Sequence, residues 1–435
     1  MPTRVDVSEG EAATILEGAR YVLGPNNCVD AELEIVSGRI ASIRKAGEQR
    51  DAGPRAETKI DLRGFVIMPG LINAHDHLQF ALFPRLGNPP YPDYIEWGNN
   101  IHATQAATIM EHKSVPRNVR LWWGGIRNLL CGVTTVCHHD PLWPELLNEN
   151  FPVRALRRYG WAHSVALGGD LREAHRETPN GGPFLIHACE GVNDLARAEV
   201  FALHQAGVLD RETVLIHGLA LDKAGVDLVN ESGASLILCP SSNEFLFERI
   251  PEMGLSGAIK RVALGNDSPL TARGDLLDEI RFTIESCGVA PERVYNMVTI
   301  EAAAILQIED AAILRLTAPA DLVAVRDNGA NAAERMHTLS FRDIELVMLD
   351  GKVQLASGTI WRQLPASLRK SMEPLWIDGV PRWLRAPIAS LLQEAEARLG
   401  RGCVKLGGRS VRQPDPSEIE SAITETFQAW PGVRI

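Results

Sequence analysis

Several features that would narrow the class of this protein are scarce or missing. No run of 18 or more apolar residues occurs in its 435 residues, so no membrane-spanning helix is predicted. The seven cysteines form no Cys-X-X-Cys pair and are odd in number, which favours reduced thiols in a cytoplasmic protein. The net charge of −11 comes without any basic stripe, which argues against a nucleic-acid partner.

The N-terminal part lacks two further signals. A basic segment followed by an apolar one is missing from the start of the chain, so we expect no secretory signal. The strand-like segments between residues 13 and 66 are not followed by a glycine-rich phosphate loop, which argues against a nucleotide-binding unit. Alternation over residues 32–43, interrupted by Ser37-Gly38-Arg39, predicts a hairpin, and these segments together favour a small β-sandwich.

What the chain does contain is an apolar run that ends in two histidines. Residues 67–78 read IMPGLINAHDHL. In a β-strand, residues i and i+2 point to the same face, so His75 and His77 would present their imidazoles together while Asp76 faces away. Two neutral imidazoles at one point suit a metal ion such as zinc, although two histidines can also lie close together by chance.

Downstream, apolar strand-like runs alternate with amphipathic helices, a pattern that predicts parallel βα units. Several of these runs end in a polar residue, namely His77, His187, His217, Asn243 and Asp267. In a barrel of parallel strands the carboxyl ends form the active face. The histidines and Asp267 therefore make up three or four nitrogen donors and one carboxylate, which suits a catalytic zinc that keeps one position for water.

Such a centre would support hydrolysis. Zinc lowers the pKa of its bound water to about 7, so hydroxide becomes available at neutral pH. Asp267 could both bind the metal and accept a proton from the attacking water. Glu190, three residues after His187, could carry protons to a departing nitrogen, which must be protonated as it leaves.

Five short motifs occur in a fixed order along the chain. They are PGLINAHDH (69–77), HACE (187–190), IHG (216–218), CPSSN (239–243) and GNDSP (265–269). With these motifs the sequence resembles the amidohydrolase superfamily over most of residues 13–360, in the branch of mononuclear aminohydrolases that includes cytosine, guanine and S-adenosylhomocysteine deaminases. The resemblance implies an α/β fold, a (β/α)8 TIM-type barrel with a small β-sandwich built from both chain ends.

The resemblance also implies a set of site residues. It makes His75, His77, His187 and Asp267 the ligands of one divalent metal ion. By the same match, Glu190 is the proton shuttle, and His217 hydrogen-bonds the water or the developing tetrahedral centre. The catalytic residues are then Glu190, His217 and Asp267. We expect Zn2+, with Fe2+ or Mn2+ as alternatives, because these ligands accept all three metals.

Two departures from the family pattern shape these expectations. Binuclear members bridge their metals with a lysine on the fourth strand, but no lysine occurs between Lys113 and Lys223, which favours a single metal. Roughly 20 residues separate the strand-like RRYGWAHSVAL from His187, whereas a full strand–helix unit needs about 30. We therefore expect the barrel to be abbreviated near the fourth βα unit.

This interpretation of the sequence predicts three domains. They are a β-sandwich from residues 1–67 and 310–365, a catalytic barrel from 68–309 and a helical C-terminal extension from 366–435. The extension has Leu391, Leu392 and Ala395 on one helical face, which could dock on the barrel or on a second subunit of a homo-oligomer.

Four further residues are candidates for substrate binding: Gln79, Trp97, His138 and Asn243. Trp97 lies in a proline-rich stretch that predicts a long loop, where its ring could cover a flat substrate or only pin the loop to the surface. His138 ends a strand together with His139 and Asp140, and these residues could face the pocket or be solvated or hydrogen-bonded locally. Asn243 would suit contact with a substrate or with a loop. His102 and His163 lack a partner at ligand spacing and are interpreted as structural or surface residues.

The favoured function is a metal-dependent aminohydrolase that uses metal-bound hydroxide to release ammonia from a heteroaromatic or amidine-bearing small molecule. Hydrolysis of a cyclic amide, or hydrolytic dechlorination of a ring, would use the same site. A non-catalytic barrel scaffold is the remote alternative; it predicts missing ligands, whereas every expected ligand and Glu190 is present. The expected partner is a small molecule, with no nucleic acid or membrane, in the cytoplasm.

Overall fold

The structure is a computed structural model that describes residues 12–45, 48, 56–415 and 417–419. Its first strands are β1 (Ala13–Gly24), β2 (Asn27–Val36), β3 (Arg39–Lys45), β4 (Glu57–Asp61) and β5 (Phe65–Pro69). β2 and β3 pair antiparallel across Ser37 and Gly38, which both take positive φ angles, and this confirms the predicted hairpin. β1 pairs with β2, β4 and β5.

The middle of the chain alternates strands with helices. In chain order the elements are β6 (Leu71–Asp76), α1 (Tyr94–Thr104), α2 (Ala106–Lys113), α3 (Arg117–Leu130), β7 (Val133–His138), β8 (Arg154–Ala155), β9 (Gly160–Ser164), α4 (Leu171–Arg176), β10 (Phe184–Ala188), α5 (Asp194–Gln205), β11 (Thr213–His217), α6 (Lys223–Ser232), β12 (Ser235–Leu238), α7 (Pro240–Phe247), α8 (Met253–Ser256), β13 (Val262–Leu264), α9 (Leu276–Glu285), α10 (Pro291–Met297) and α11 (Ile300–Ile305). β6, β7 and β8 form one parallel sheet, and β9 to β13 form a second parallel sheet in chain order. The fold is therefore mixed α/β, as predicted.

The two parallel sheets adjoin where β13 ends. The backbone N–H groups of Asn266 and Asp267 donate to the carbonyl of His75 at 3.1 and 3.0 Å. Inward-facing apolar side chains of both sheets share one hydrophobic cluster, which includes Ile72, Ala74, Cys137, Leu185, Val214, Ile216, Ile237 and Ala263. The carboxyl ends of strands from both sheets consequently surround a common space.

The abbreviated region is larger than predicted. Two short strands occur here, β8 with two residues and β9 with five, and the four residues between them contain no helix. The helix that follows β9, α4, has six residues. The shortening therefore affects the third and fourth parallel strands together.

Trp97, which was expected on a long loop, lies on a helix instead. α1 begins at Tyr94 because the side chain of Asp93 caps it, accepting from the N–H groups of Ile95 and Glu96 at 3.0 Å. The prolines that exclude a helix all precede this cap. Tyr94 and Trp97 are thus held by a helix rather than by a flexible loop.

The C-terminal part returns to the first sheet. Its elements are β14 (Leu322–Arg326), α12 (Ala332–His337), β15 (Ile344–Leu349), β16 (Lys352–Ala356), α13 (Gly358–Gln363), α14 (Ala366–Lys370), β17 (Glu373–Ile377), β18 (Val380–Leu384), α15 (Ile388–Leu399), β19 (Lys405–Leu406) and β20 (Arg409–Arg412). β14 pairs antiparallel with β5, so both chain ends contribute to one 12-stranded sheet. Among the described residues, no helix has both the length and the apolar character needed to cross a membrane.

The C-terminal extension is not wholly helical, contrary to the prediction. β17 to β20 lengthen the 12-stranded sheet, since the apolar side chains of Leu375, Ile377 and Leu384 pack into the main core. α15 does form where a helix was predicted, and its apolar face is buried on α3, where the indole N–H of Trp123 donates to the carbonyl of Leu391 at 3.4 Å. Residues 420–435 of the predicted extension lie outside the described residues.

Candidate metal centre

Four predicted ligand atoms converge at the carboxyl ends of β6, β10 and β13. The Nε2 atom of His187 lies 3.2 Å from that of His75 and 3.4 Å from that of His77. Oδ1 of Asp267 lies 3.7 and 3.8 Å from the Nε2 atoms of His75 and His77. A metal ion with bonds of about 2.1 Å in tetrahedral geometry separates its ligands by roughly 3.4 Å. These four distances between donor atoms therefore lie within about 0.4 Å of the spacing that one ion requires.

The hydrogen bonds of two histidines turn their ligand nitrogens toward this point. Nδ1 of His187 donates to the carbonyl of His163 at 2.6 Å, and Nδ1 of His77 lies 3.4 Å from Oδ2 of Asp140. In the neutral imidazole this leaves Nε2 with a lone pair and no proton. Lone pairs and a carboxylate oxygen that face one another at these distances fit a cation between them.

Strained backbone occurs at the ends of the strands that carry the site. Asp267, His217 and Cys189 have φ angles of +54°, +74° and +55°, a left-handed conformation that non-glycine residues rarely adopt. Close packing adds a second constraint, because a Cβ atom on Gly265 would lie 2.5 Å from Cβ of His75. Strain of this kind clusters at functional sites, where the surrounding structure enforces it.

Asp76 points away from the metal site, as predicted, and supports it from behind. Its buried carboxylate accepts from Nη2 of Arg127 at 2.8 Å and from Nδ2 of Asn128 at 2.7 Å. The same Nη2 atom donates to the carbonyl of Asp267 at 3.0 Å. This buried pair thus ties β6 to the segment that presents Asp267.

The CPSSN motif forms the start of α7 and holds two catalytic candidates in place. The hydroxyl of Ser242 donates to Oδ2 of Asp267 at 2.7 Å, and Thr271 adds a second hydroxyl at 3.0 Å. Oδ1 of Asn243 accepts from Nδ1 of His217 at 3.0 Å. Asn243 therefore keeps Nε2 of His217 free to face the cavity.

Glu190 and Asp267 have opposite protonation preferences. Burial, together with the negative charge of Asp267, raises the pKa of Glu190 well above its usual value. Burial opposes ionisation of Asp267 too, but its contact with His75 and its proximity to His217 outweigh this and hold its pKa well below the usual range. Oε1 of Glu190 lies 3.5 Å from Nε2 of His217. The site thus places a carboxyl whose pKa is raised beside one whose pKa is lowered, a pattern typical of acid–base catalysis.

A cavity of about 360 Å³ opens onto this centre. The metal-centre side chains that line it are those of His77, His187, Glu190, His217 and Asp267. Trp97, predicted as a substrate contact, lines it as well. The volume is within the range of pockets for small molecules, about 300–1,000 Å³.

The other three predicted substrate contacts do not line this cavity. Gln79 donates to Asp140, and His138 accepts from the N–H of Leu78 at 3.3 Å. Asn243 contacts His217 and reaches the cavity only through it. For His138 the reason is strand alternation, because β7 turns it to the face opposite that of Cys137.

Two further histidines lie at the site: His139, a candidate for the pocket from its place at a strand end, and His163, interpreted from the sequence as structural or surface. His139 donates from Nε2 to the carbonyl of Ala162 at 2.9 Å, and its ring centroid is 4.3 Å from that of His187. Each of His75, His77, His139 and His187 offers a nitrogen within 4.8 Å of the others. His163 lines the cavity, as does His102. The strand-end position of His139 had marked it as a pocket candidate, whereas no sequence signal marks His163.

Comparison with known proteins provides evidence that is independent of the site geometry. Residues 181–354 match the model of the Amidohydrolase family. The chain is 22% identical over 408 residues to the 5-methylthioadenosine/S-adenosylhomocysteine deaminase of Thermococcus onnurineus, a match that covers 78% of this chain and 93% of the relative.

Two solved structures show the same fold. Zinc-complexed atrazine chlorohydrolase TrzN from Arthrobacter aurescens TC1 has a TM-score of 0.66 at 15% identity, covering 88% of this chain and 99% of that one. An adenosine deaminase from Xanthomonas campestris with bound zinc has a TM-score of 0.63 at 17% identity, covering 89% and 98%. These findings confirm the resemblance to the amidohydrolase superfamily that the five motifs indicated, and they confirm the predicted class, a hydrolase acting on carbon–nitrogen bonds.

Proposed function

We propose that this protein is an aminohydrolase that replaces the amino group of a heteroaromatic small molecule by hydroxyl or oxo and releases ammonia. One observation carries the proposal: Glu190, a buried carboxyl with a raised pKa, faces His217 beside a four-ligand centre at the base of a cavity. The deaminase names of the sequence relatives support the same reaction.

Zinc is the metal proposed for the centre, held by His75, His77, His187 and Asp267. Three imidazole nitrogens and one carboxylate oxygen are ligands that zinc accepts, and the cavity leaves its remaining side open. Zinc-bound structural neighbours support this choice.

The proposed roles of the protein groups follow from their protonation and position. A divalent metal bound here lowers the pKa of a coordinated water. Asp267 is ionised and accepts a proton from the attacking water. His217 accepts at Nε2 because Asn243 occupies its Nδ1 proton, so it can hydrogen-bond the attacked centre. Glu190 donates its proton to the nitrogen as a C–O bond forms and the C–N bond breaks.

The raised pKa of Glu190 favours an amino leaving group over chloride. Nitrogen leaves a ring carbon as ammonia only after protonation, whereas chloride leaves without a proton. A buried carboxyl whose pKa is raised is useful to the first reaction and unnecessary for the second.

We also propose that the eight parallel strands form one barrel over residues 68–309. The hydrogen bonds from Asn266 and Asp267 to His75 support closure between β13 and β6. The remaining segments, 1–67 and 310–365, are proposed to form the β-sandwich, which the pairing of β14 with β5 supports.

The test is ammonia release by zinc-loaded protein from a panel of amino-substituted heterocycles, with Glu190→Gln as the central variant. The introduced side-chain amide cannot donate an acidic proton, so turnover should collapse by about 10²–10⁴-fold while bound zinc is unchanged. Glu231→Gln, at an exposed position on α6, is the matched control and should retain full activity. Undiminished turnover in Glu190→Gln, or no ammonia from any compound, would refute the proposal.

A further inference from the structure

The cavity wall away from the metal centre is a hydrophobic cluster of its own. Its buried members are Phe83, Leu86, Ile101, Ile109 and Leu270, and Phe80 and Trp97 pack against them. All seven side chains line the cavity. This cluster is separate from the cores beneath the strands; it packs α1 and α2 against the segments around residues 80–86 and 270, and it faces the cavity.

The polar atoms on this wall are already hydrogen-bonded within the protein. The indole N–H of Trp97 donates to the carbonyl of Leu86 at 2.9 Å. The hydroxyl of Tyr94 donates to Glu199 at 3.3 Å and accepts from the backbone N–H of Ala166 at 3.3 Å. These aromatic side chains therefore present their ring surfaces, not their polar atoms, to a ligand.

Charged groups are confined to the two ends of the cavity. Of the described residues that line it, the only carboxylates are Glu190 and Asp267, both at the metal centre. His102 and Lys113 are exposed to solvent. Among the neutral polar side chains that also line the cavity, Asn99 is exposed, Ser268 directly follows Asp267 and Thr271 donates to it. A sugar lying against the seven apolar side chains would therefore leave hydroxyl groups with few hydrogen-bond partners, which is unfavourable because buried polar groups need them.

We propose that the substrate is an aminated heteroaromatic ring that carries an apolar alkyl or aryl substituent instead of a sugar, an inference that rests on the proposed function. The ring would lie at the metal centre with its amino-bearing carbon toward Glu190. The substituent would fill the hydrophobic cluster. This substrate class differs from the nucleosides named for the deaminase relatives.

The experiment compares matched compounds on zinc-loaded protein. Ammonia release is measured for 9-benzyladenine and adenosine, and for 1-benzylcytosine and cytidine. We expect kcat/KM to be about 100-fold higher for the benzyl member of a pair that is turned over. Leu270→Ala should lower kcat/KM for the benzyl compound by roughly tenfold or more, because it removes apolar contact. Leu195→Ala, at an exposed position on α5, is the matched control and should change nothing.

Binding measured by calorimetry on the same compounds separates this inference from the proposed function. If adenosine or cytidine releases ammonia as fast as its benzyl partner, the inference is overturned, but the aminohydrolase proposal still stands. If no compound is hydrolysed, tighter binding of the benzyl members, weakened by Leu270→Ala, still supports the apolar subsite. Equal or tighter binding of the nucleosides, or no binding of any compound, overturns it.

Discussion

Replacing Glu279 by glutamine should make the protein more stable at neutral and mildly alkaline pH. Glu279 is fully buried on α9, where it accepts from the N–H of Ser241 at 2.8 Å and contacts the hydroxyl of the same residue. Burial raises its pKa from 4.5 to about 8. Its partner Ser241 belongs to the first turn of α7, which also carries Ser242 and Asn243, so this carboxyl anchors the segment that orients the catalytic groups.

The direction in which stability changes with pH depends on whether the folded or the unfolded chain holds the proton of Glu279. The unfolded chain releases the Glu279 proton near pH 4.5, whereas the folded chain keeps it to about pH 8. The group therefore stabilises the fold fully below pH 4.5, and this contribution is lost as pH rises toward 8. Each pH unit in that window removes about 1.4 kcal/mol, so the loss between pH 6 and 8 is roughly 2–3 kcal/mol. Glutamine stays neutral at every pH, so the variant does not lose this stability.

The assay is urea or thermal unfolding of zinc-loaded wild type, Glu279→Gln and the surface control Glu231→Gln at several pH values from 6 to 9. The stability gain of Glu279→Gln over wild type should grow by about 2–3 kcal/mol between pH 6 and 8 and then level off. Glu231→Gln should follow wild type throughout. A gain that does not change with pH, or one that shrinks as pH rises, would show that Glu279 is ionised in the fold and would refute the reasoning.

Three other outcomes are expected. Asp140→Asn weakens the hydrogen bond that orients His77 and should raise the zinc Kd by about 10–100-fold in chelator competition; an unchanged Kd would exclude this role. Asn243→Ala leaves Nδ1 of His217 without its acceptor, so kcat should fall while zinc content stays constant; loss of zinc would instead indicate a structural defect. Chelation should lower Tm, and added zinc should restore it, because the donor atoms lie close together without a cation; a Tm insensitive to chelation would contradict a metal centre.

Local sequence patterns accounted for most of the strands, several helices and the ligand set. The alternation around Ser37 predicted the hairpin, because turn residues act over a few neighbouring positions. The spacing of His75 and His77 predicted a shared face for the same local reason. The motif order then indicated which distant residues join them, and their donor atoms do lie together.

Tertiary structure decided what depends on residues far apart in the chain. Trp97 and Asn243 were both predicted to contact substrate, yet only Trp97 lines the cavity, since α7 turns Asn243 toward His217. The strands after residue 372 form because β16 offers an edge to pair with, which no local pattern encodes. Which side chains line the cavity, and which polar atoms are already bonded, likewise follows from packing between elements. Patterns over a few neighbouring residues determine which helices and strands form and which residues offer donor atoms. Contacts between distant segments determine which side chains line the pocket.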